Sequence, residues 1–124
     1  NPFDKGIVGA DAFHAVMSQD IARKRSRRVD GTSHQFFYNP MWGRMGDAST
    51  GPPGTYYYRK DAGYISYFWY TFDQVLLRPD LLNFFSHNDL IVVSKIGEQD
   101  LLSQEKISTA FSDHLPIMLN LTVE

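Results

Sequence analysis

An acid and an imidazole stand side by side at Asp113-His114, within the run Ser112-Asp113-His114-Leu115-Pro116. Aspartate offers hard oxygen ligands of the kind Mg²⁺ prefers, and histidine can give a phosphate a charge-assisted hydrogen bond. The run leads directly into Leu115, Ile117, Leu119, Leu121 and Val123, apolar residues at alternate positions that predict a strand with one buried face. Pro116 suits the start or edge of such a strand. A turn placed there can be held firmly and still face solvent. The same five residues also read as a plain polar turn ahead of a strand. A second acid, Asp73, interrupts the apolar run Phe72-Asp73-Gln74-Val75-Leu76-Leu77, which predicts a central strand ended by Arg78-Pro79. A lone buried carboxylate is costly, so Asp73 needs a partner. A backbone amide, a Tyr hydroxyl or His114 would each serve; His114 would then have one ring nitrogen fixed and the other free for substrate.

A second candidate surface is basic. Arg23, Lys24, Arg25, Arg27 and Arg28 crowd six positions, and Phe36, Phe37, Tyr38 and Trp42 lie just downstream. Cations could grip phosphates and the rings could stack on bases, with Arg25, Arg27 and Arg28 as contacts. The competing reading is a solvated helix end with core aromatics after it. Arg44, in Gly43-Arg44-Met45-Gly46-Asp47, is a further candidate substrate contact on a loop rim. Neither that loop nor Gly51-Pro52-Pro53-Gly54 has the Lys-Ser/Thr pair of a nucleotide-binding P-loop. His34 and His87 lack spaced partners for zinc, and no helix-turn-helix, zinc-finger or RNA-binding signature is present.

Several elements must position these residues. A helix is predicted from about Asp11 to Lys24, capped by Asp11 and burying Phe13, Val16, Met17 and Ile21, with His14 off the stripe. Residues 29–54 read as long loop, with one short strand at Phe36 to Tyr38. Strands are expected at Thr55 to Tyr58, across about Ile65 to Leu77 after a turn at Gly63-Tyr64, and at Leu90 to Val93. Pro79 starts a short helix carrying Leu81, Leu82, Phe84 and Phe85. Residues 94–112 have no firm assignment.

The chain has 124 residues, 43% of them hydrophobic and 15% aromatic, which fits one domain with a real core and excludes disorder throughout. Residues 1–62 carry nine basic and six acidic residues, a net of +3; residues 63–124 carry three and eight, a net of -5. There is no cysteine, so disulfides, thiol nucleophiles and cysteine zinc sites are excluded, and a reducing, cytoplasmic compartment is favoured. No apolar run reaches the roughly 18 residues of a membrane span. Asn1-Pro2-Phe3-Asp4 has no initiator Met and reads as internal to something longer, or as a processed start.

Three landmarks in order carry a family resemblance. The run 112–116 with its alternating strand resembles the last signature of the endonuclease/exonuclease/phosphatase superfamily, which includes pancreatic-type deoxyribonuclease. Phe72-Asp73-Gln74-Val75-Leu76-Leu77 is similar to that family's preceding aromatic-Asp-x-hydrophobic strand, with Arg78 where a small polar residue is common. Asn1-Pro2-Phe3 is similar to the residues just after the family's Gly-Asp-Phe-Asn segment. The resemblance implies an α/β fold: half of a four-layer, two-sheet sandwich, mostly antiparallel, flanked by helices. Residues 1–124 would be the C-terminal portion of one metal-dependent phosphoesterase domain, a fragment whose partner is the missing N-terminal half. His114 would bind and stabilise the phosphoryl group, Asp73 would orient His114, and Asp113 would bind Mg²⁺ or Mn²⁺. The reaction implied is water attack on a phosphate ester, nuclease or phosphatase, with DNA as first substrate. The family's early Asn, metal-binding Glu and central His or Tyr would precede Asn1, leaving this chain alone inactive. The alternative is a non-catalytic nucleic-acid-binding or structural remnant of the fold.

Overall fold

A computed structural model describes residues 3–9, 11–59, 66–104 and 106–123. The architecture is mixed, mostly short strands in several small sheets with few helices. The first sheet has the order β1-β3-β2, from β1 (His14–Val16), β2 (Ser26–Val29) and β3 (Thr32–Tyr38). β2 and β3 form an antiparallel hairpin in which Val29 faces Thr32. Its turn is Asp30-Gly31, with φ of 50° and 80°. Positive φ at both positions is what a two-residue type I′ turn requires, and Asp-Gly is among its preferred pairs. β1 joins the other edge of β3 in parallel, with His14 opposite Phe36 and Val16 opposite Tyr38.

This arrangement replaces the helix expected over Asp11 to Lys24. Asp11 lies at φ 55° and caps nothing there; Ser18 instead accepts from the Ile21 amide and starts α1 (Gln19–Ala22). Of the expected buried stripe, Phe13, Met17 and Ile21 are exposed, while Val16 is half-buried, on β1 and against the second apolar cluster. Pairing of 14–16 with the aromatic strand outweighs the helical spacing, as tertiary context overrides propensity. Arg25 closes the segment at φ 73°, and Arg27 and Arg28 lie on β2 rather than on a helix end. β3 is also longer than the three residues expected inside a loop.

The second half is built from two-stranded pieces: β4 (Tyr56–Tyr57) with β5 (Trp69–Tyr70), β6 (Leu90–Val92) with β11 (Ile117–Leu119), β7 (Lys95–Ile96) with β8 (Gln99–Asp100), and β9 (Leu102–Ser103) with β10 (Lys106–Ile107), all antiparallel. The stretch 94–112, which has no firm assignment from sequence, thus holds two strand pairs, β7–β8 and β9–β10. Strands β4, β6 and β11 fall within the stretches the sequence places them in, though β11 is shorter than the expected run; Leu115, Ile117, Leu119 and Leu121 are more buried than the residues between them, whereas Val123, expected on the same face, is exposed. The expected run from Ile65 to Leu77 shrinks to β5, and the Gly63-Tyr64 turn lies outside the described residues, as do Asn1 and Pro2. Phe72 to Leu77 is not a central strand: only Leu77 pairs, in a single bridge to Tyr38 with amide-to-carbonyl bonds of 2.8 and 2.9 Å. Pro79–Phe84 forms a 3-10 helix.

Two apolar clusters support these pieces. Met41, Leu90, Val92, Leu101, Ile107 and Leu115 form one; Ala22, Tyr38, Leu77 and Leu82 form the other. Val75, Phe85 and Leu119 pack against both and join them. Among the described residues no helix is long and apolar enough to cross a membrane.

Two histidines, His14 and His87, make stability depend on pH. The His14 ring stacks on His34 with centroids 5.1 Å apart. Burial holds His14 below its ordinary value, with Arg27 and His34 adding to the effect and Asp11 opposing it. His87 is lowered by burial and then by Arg44; it is exposed overall, so burial acts on the ring face packed against Tyr38 and Phe85. In both cases the unfolded chain takes up the proton first as pH falls. Stability from these groups is therefore full above about 6.5 and lost as pH falls through the lower folded values. Urea denaturation at pH 7.5 and 5.5 should show a lower midpoint at 5.5, and His14→Gln should flatten the difference.

Candidate functional site

The chain brings the two distant motifs together through Thr55, a fully buried residue at the entrance to β4. Its amide donates to Tyr70 O at 2.9 Å, its carbonyl accepts from the Leu115 amide at 2.7 Å, and its Oγ1 accepts from the Asp73 amide at 3.2 Å. Tyr56, the next residue, forms an antiparallel bridge with His114. One buried threonine therefore fixes the backbones that carry both Asp73 and His114. Sequence reasoning missed it; a polar β-branched residue after Gly54 at the head of a strand was the available signal.

His114 Nδ1 lies 2.7 Å from Asp73 Oδ2. A carboxylate only accepts, so Nδ1 carries the proton and donates. In neutral His114 that leaves Nε2 as the acceptor nitrogen, and among the described residues Nε2 has no hydrogen-bond partner. The two side chains are 38% and 37% exposed, so Asp73 is not the buried charge the sequence suggests. At that exposure the pair adds little to stability, about 0–1 kcal/mol; what it contributes is ring orientation. The Tyr56 ring packs on the imidazole at 5.0 Å and Phe72 at 6.3 Å. Ser112 Oγ accepts from the His114 amide at 3.1 Å, which shapes the turn.

Asp73 and His114 open onto a cavity of about 260 Å³. Its other walls come from the stretch 94–112 and the final strand, including Ile96, Leu101, Ile107, Ser108 and Phe111. Asp113 is exposed beside His114 but does not line this cavity. Among the described residues no three His, Asp or Glu side chains converge to hold a metal ion. Asp113 alone offers one adjacent carboxylate, so these residues do not complete a cation site.

The arginines lie elsewhere. Arg25 pairs with Asp80 at 2.5 Å, Arg28 donates to Gly31 O at 2.7 Å, and Arg27 faces His34 across the hairpin. Arg44 donates to His87 O and lines a separate cavity with Asn88 and Ile91. None of the four lines the cavity at His114. Of the aromatics suggested for stacking, Phe36 and Tyr38 are buried, and Phe37 packs edge-on against Phe13. Comparison with family models, with curated proteins and with solved structures finds no match to this chain.

Proposed function

We propose that the chain carries the histidine-aspartate part of a phosphoester-hydrolysing site of the endonuclease/exonuclease/phosphatase kind. The observation that supports it is the 2.7 Å contact between Asp73 and His114, side chains 41 positions apart, at the mouth of a cavity. Asp73 holds the imidazole in one tautomer and one orientation. His114 then presents Nε2 to a phosphoryl oxygen, donating to it when protonated and stabilising the charge that grows there in the transition state. Asp113 stands beside the pair as one ligand for Mg²⁺ or Mn²⁺, with the remaining ligands supplied from outside these residues. In this reading the small sheets are half of a two-sheet sandwich, residues 1–124 are the C-terminal portion of the domain, and its N-terminal half is the partner that completes the site. The substrate is a phosphodiester, DNA among the first to try.

Two experiments test it. The 124-residue chain assayed with Mg²⁺ and a generic phosphodiester should show little or no turnover beside the longer gene product; equal turnover defeats the fragment reading. In the longer product, His114→Ala should abolish most hydrolysis in both Mg²⁺ and Mn²⁺. A variant that loses binding but keeps its turnover per bound substrate removes the transition-state role and leaves His114 a binding residue; no hydrolysis by the unaltered longer product leaves the non-catalytic remnant as the better account.

A further inference from the structure

A basic recess adjoins the cavity at His114 and shares a wall with it. It is about 310 Å³ and is lined by Arg59, Lys106, Ser103, Gln104, Ser108 and Thr109. Ile107 and Ser108 line both spaces. Lys106 lies on β10, opposite Ser103 in the β9–β10 pair, and Arg59 lies just past β4. Both cations approach the same ring: Lys106 Nζ is 5.6 Å and Arg59 Cζ 6.0 Å from the Tyr57 centroid. Among the described residues neither forms an ion pair, and the recess has no acidic wall. Two like charges gathered on one ring repel each other. Cation–π attraction offsets part of that, and an anion seated between them would offset more. The hydroxyls of Ser103, Ser108 and Thr109 and the Gln104 amide are donors suited to phosphate oxygens.

We infer that this recess binds a second phosphate group of the substrate whose first phosphate sits at His114. This rests on the phosphoester reading of the Asp73–His114 pair and narrows it. The substrate class becomes a phosphodiester with a neighbouring phosphate, as in a nucleic-acid strand, rather than an isolated monoester. Ser108, on the shared wall, faces the link between the two groups.

The test is binding to the 124-residue chain itself, measured by NMR titration. Thymidine 3′,5′-bisphosphate should bind about tenfold more tightly than thymidine 5′-monophosphate. The double variant Arg59→Ala/Lys106→Ala should bring the bisphosphate down to the monophosphate level and leave the monophosphate unchanged. Both side chains are exposed, so the fold should survive, which circular dichroism checks. With oligothymidylate the same variant should lower the salt slope by about 0.7, the value of one phosphate contact on a single strand. Inositol 1,4-bisphosphate is the second arm: preference for the thymidine ligands assigns a nucleic-acid strand, and preference for the inositol ligand assigns a phosphorylated polyol. Either preference supports a two-phosphate site. Unchanged bisphosphate affinity in the double variant overturns the recess and spares the reading of His114. Unchanged affinity for both thymidine ligands in His114→Gln, with loss only in the double variant, overturns the reading of His114 and with it the second-phosphate role. An unaltered chain that binds none of these ligands overturns it too.

Discussion

On the phosphoester reading, Asp73→Asn is expected to lower kcat/KM for a phosphodiester by about 10²- to 10³-fold in a protein that carries the complete site, the range for loss of a positioned electrostatic stabiliser. Asp73 touches no substrate in this account; it acts through His114 Nδ1 at 2.7 Å. An asparagine of the same shape can offer its amide hydrogen to Nδ1, which favours the neutral tautomer with its proton on Nε2; that nitrogen can still donate to a phosphoryl oxygen but carries none of the positive charge the carboxylate would stabilise. Even with its oxygen turned inward, it cannot neutralise an imidazolium. The loss should fall mainly on kcat, with KM little changed, because the interaction strengthens as charge develops. Two residues acting as one unit are strongly non-additive. Asp73→Asn/His114→Ala should therefore be hardly worse than His114→Ala alone, and nitrogen NMR of His114 should show the tautomer shift in the single variant. Additive losses, or an Asp73→Asn enzyme with full kcat, would sink the positioning role.

The legibility of this pair depends on the kind of signal each residue gives. His114 was readable because the alternation after it, Leu115 to Leu121, is a period-two pattern that survives folding. Asp73 was readable as an oddity in an apolar run, yet its run is no central strand: Leu77 makes a single bridge, and the carboxylate is half-exposed. His114 is one of the three partners the sequence leaves open, and it meets Asp73 without the expected strand, since proximity at element ends does not require a continuous ladder. The first 30 residues show the opposite case. Phe13, Met17 and Ile21 have helical spacing, but the parallel partner that draws His14–Val16 into a strand lies more than 20 residues downstream. No local window contains that contact. The Asp30-Gly31 hairpin, by contrast, is a local signal that the loop assignment passed over. The strand pairs that supply Lys106 and the cavity walls are two-residue strands, too short for periodicity to register.

Gly54→Ala should be among the most damaging single changes outside the pair, although Gly54 carries no chemistry. A Cβ at this position would meet Tyr70 O at 2.7 Å, Tyr70 C at 3.0 Å and Tyr70 N at 3.2 Å. All three are backbone atoms of the partner strand, so no side chain can swing aside. Relief requires β4 and β5 to separate, which strains the Thr55 amide bond to the same Tyr70 carbonyl. Overpacking of this kind costs about 1–3 kcal/mol, a large part of the stability of a domain this size. Thr55 also holds the Asp73 amide and the Leu115 amide, so its displacement reaches both ends of the pair. Denaturant titration should show the loss of stability, and His114 NMR at low denaturant should show a changed imidazole environment in the molecules that remain folded. Thr55→Val separates the two effects: it keeps the strand spacing, removes the Oγ1 acceptor and should disturb Asp73 with no clash at Tyr70. If Gly54→Ala unfolds at the same denaturant concentration as the unaltered chain, the close approach of the two backbones is not what positions the site.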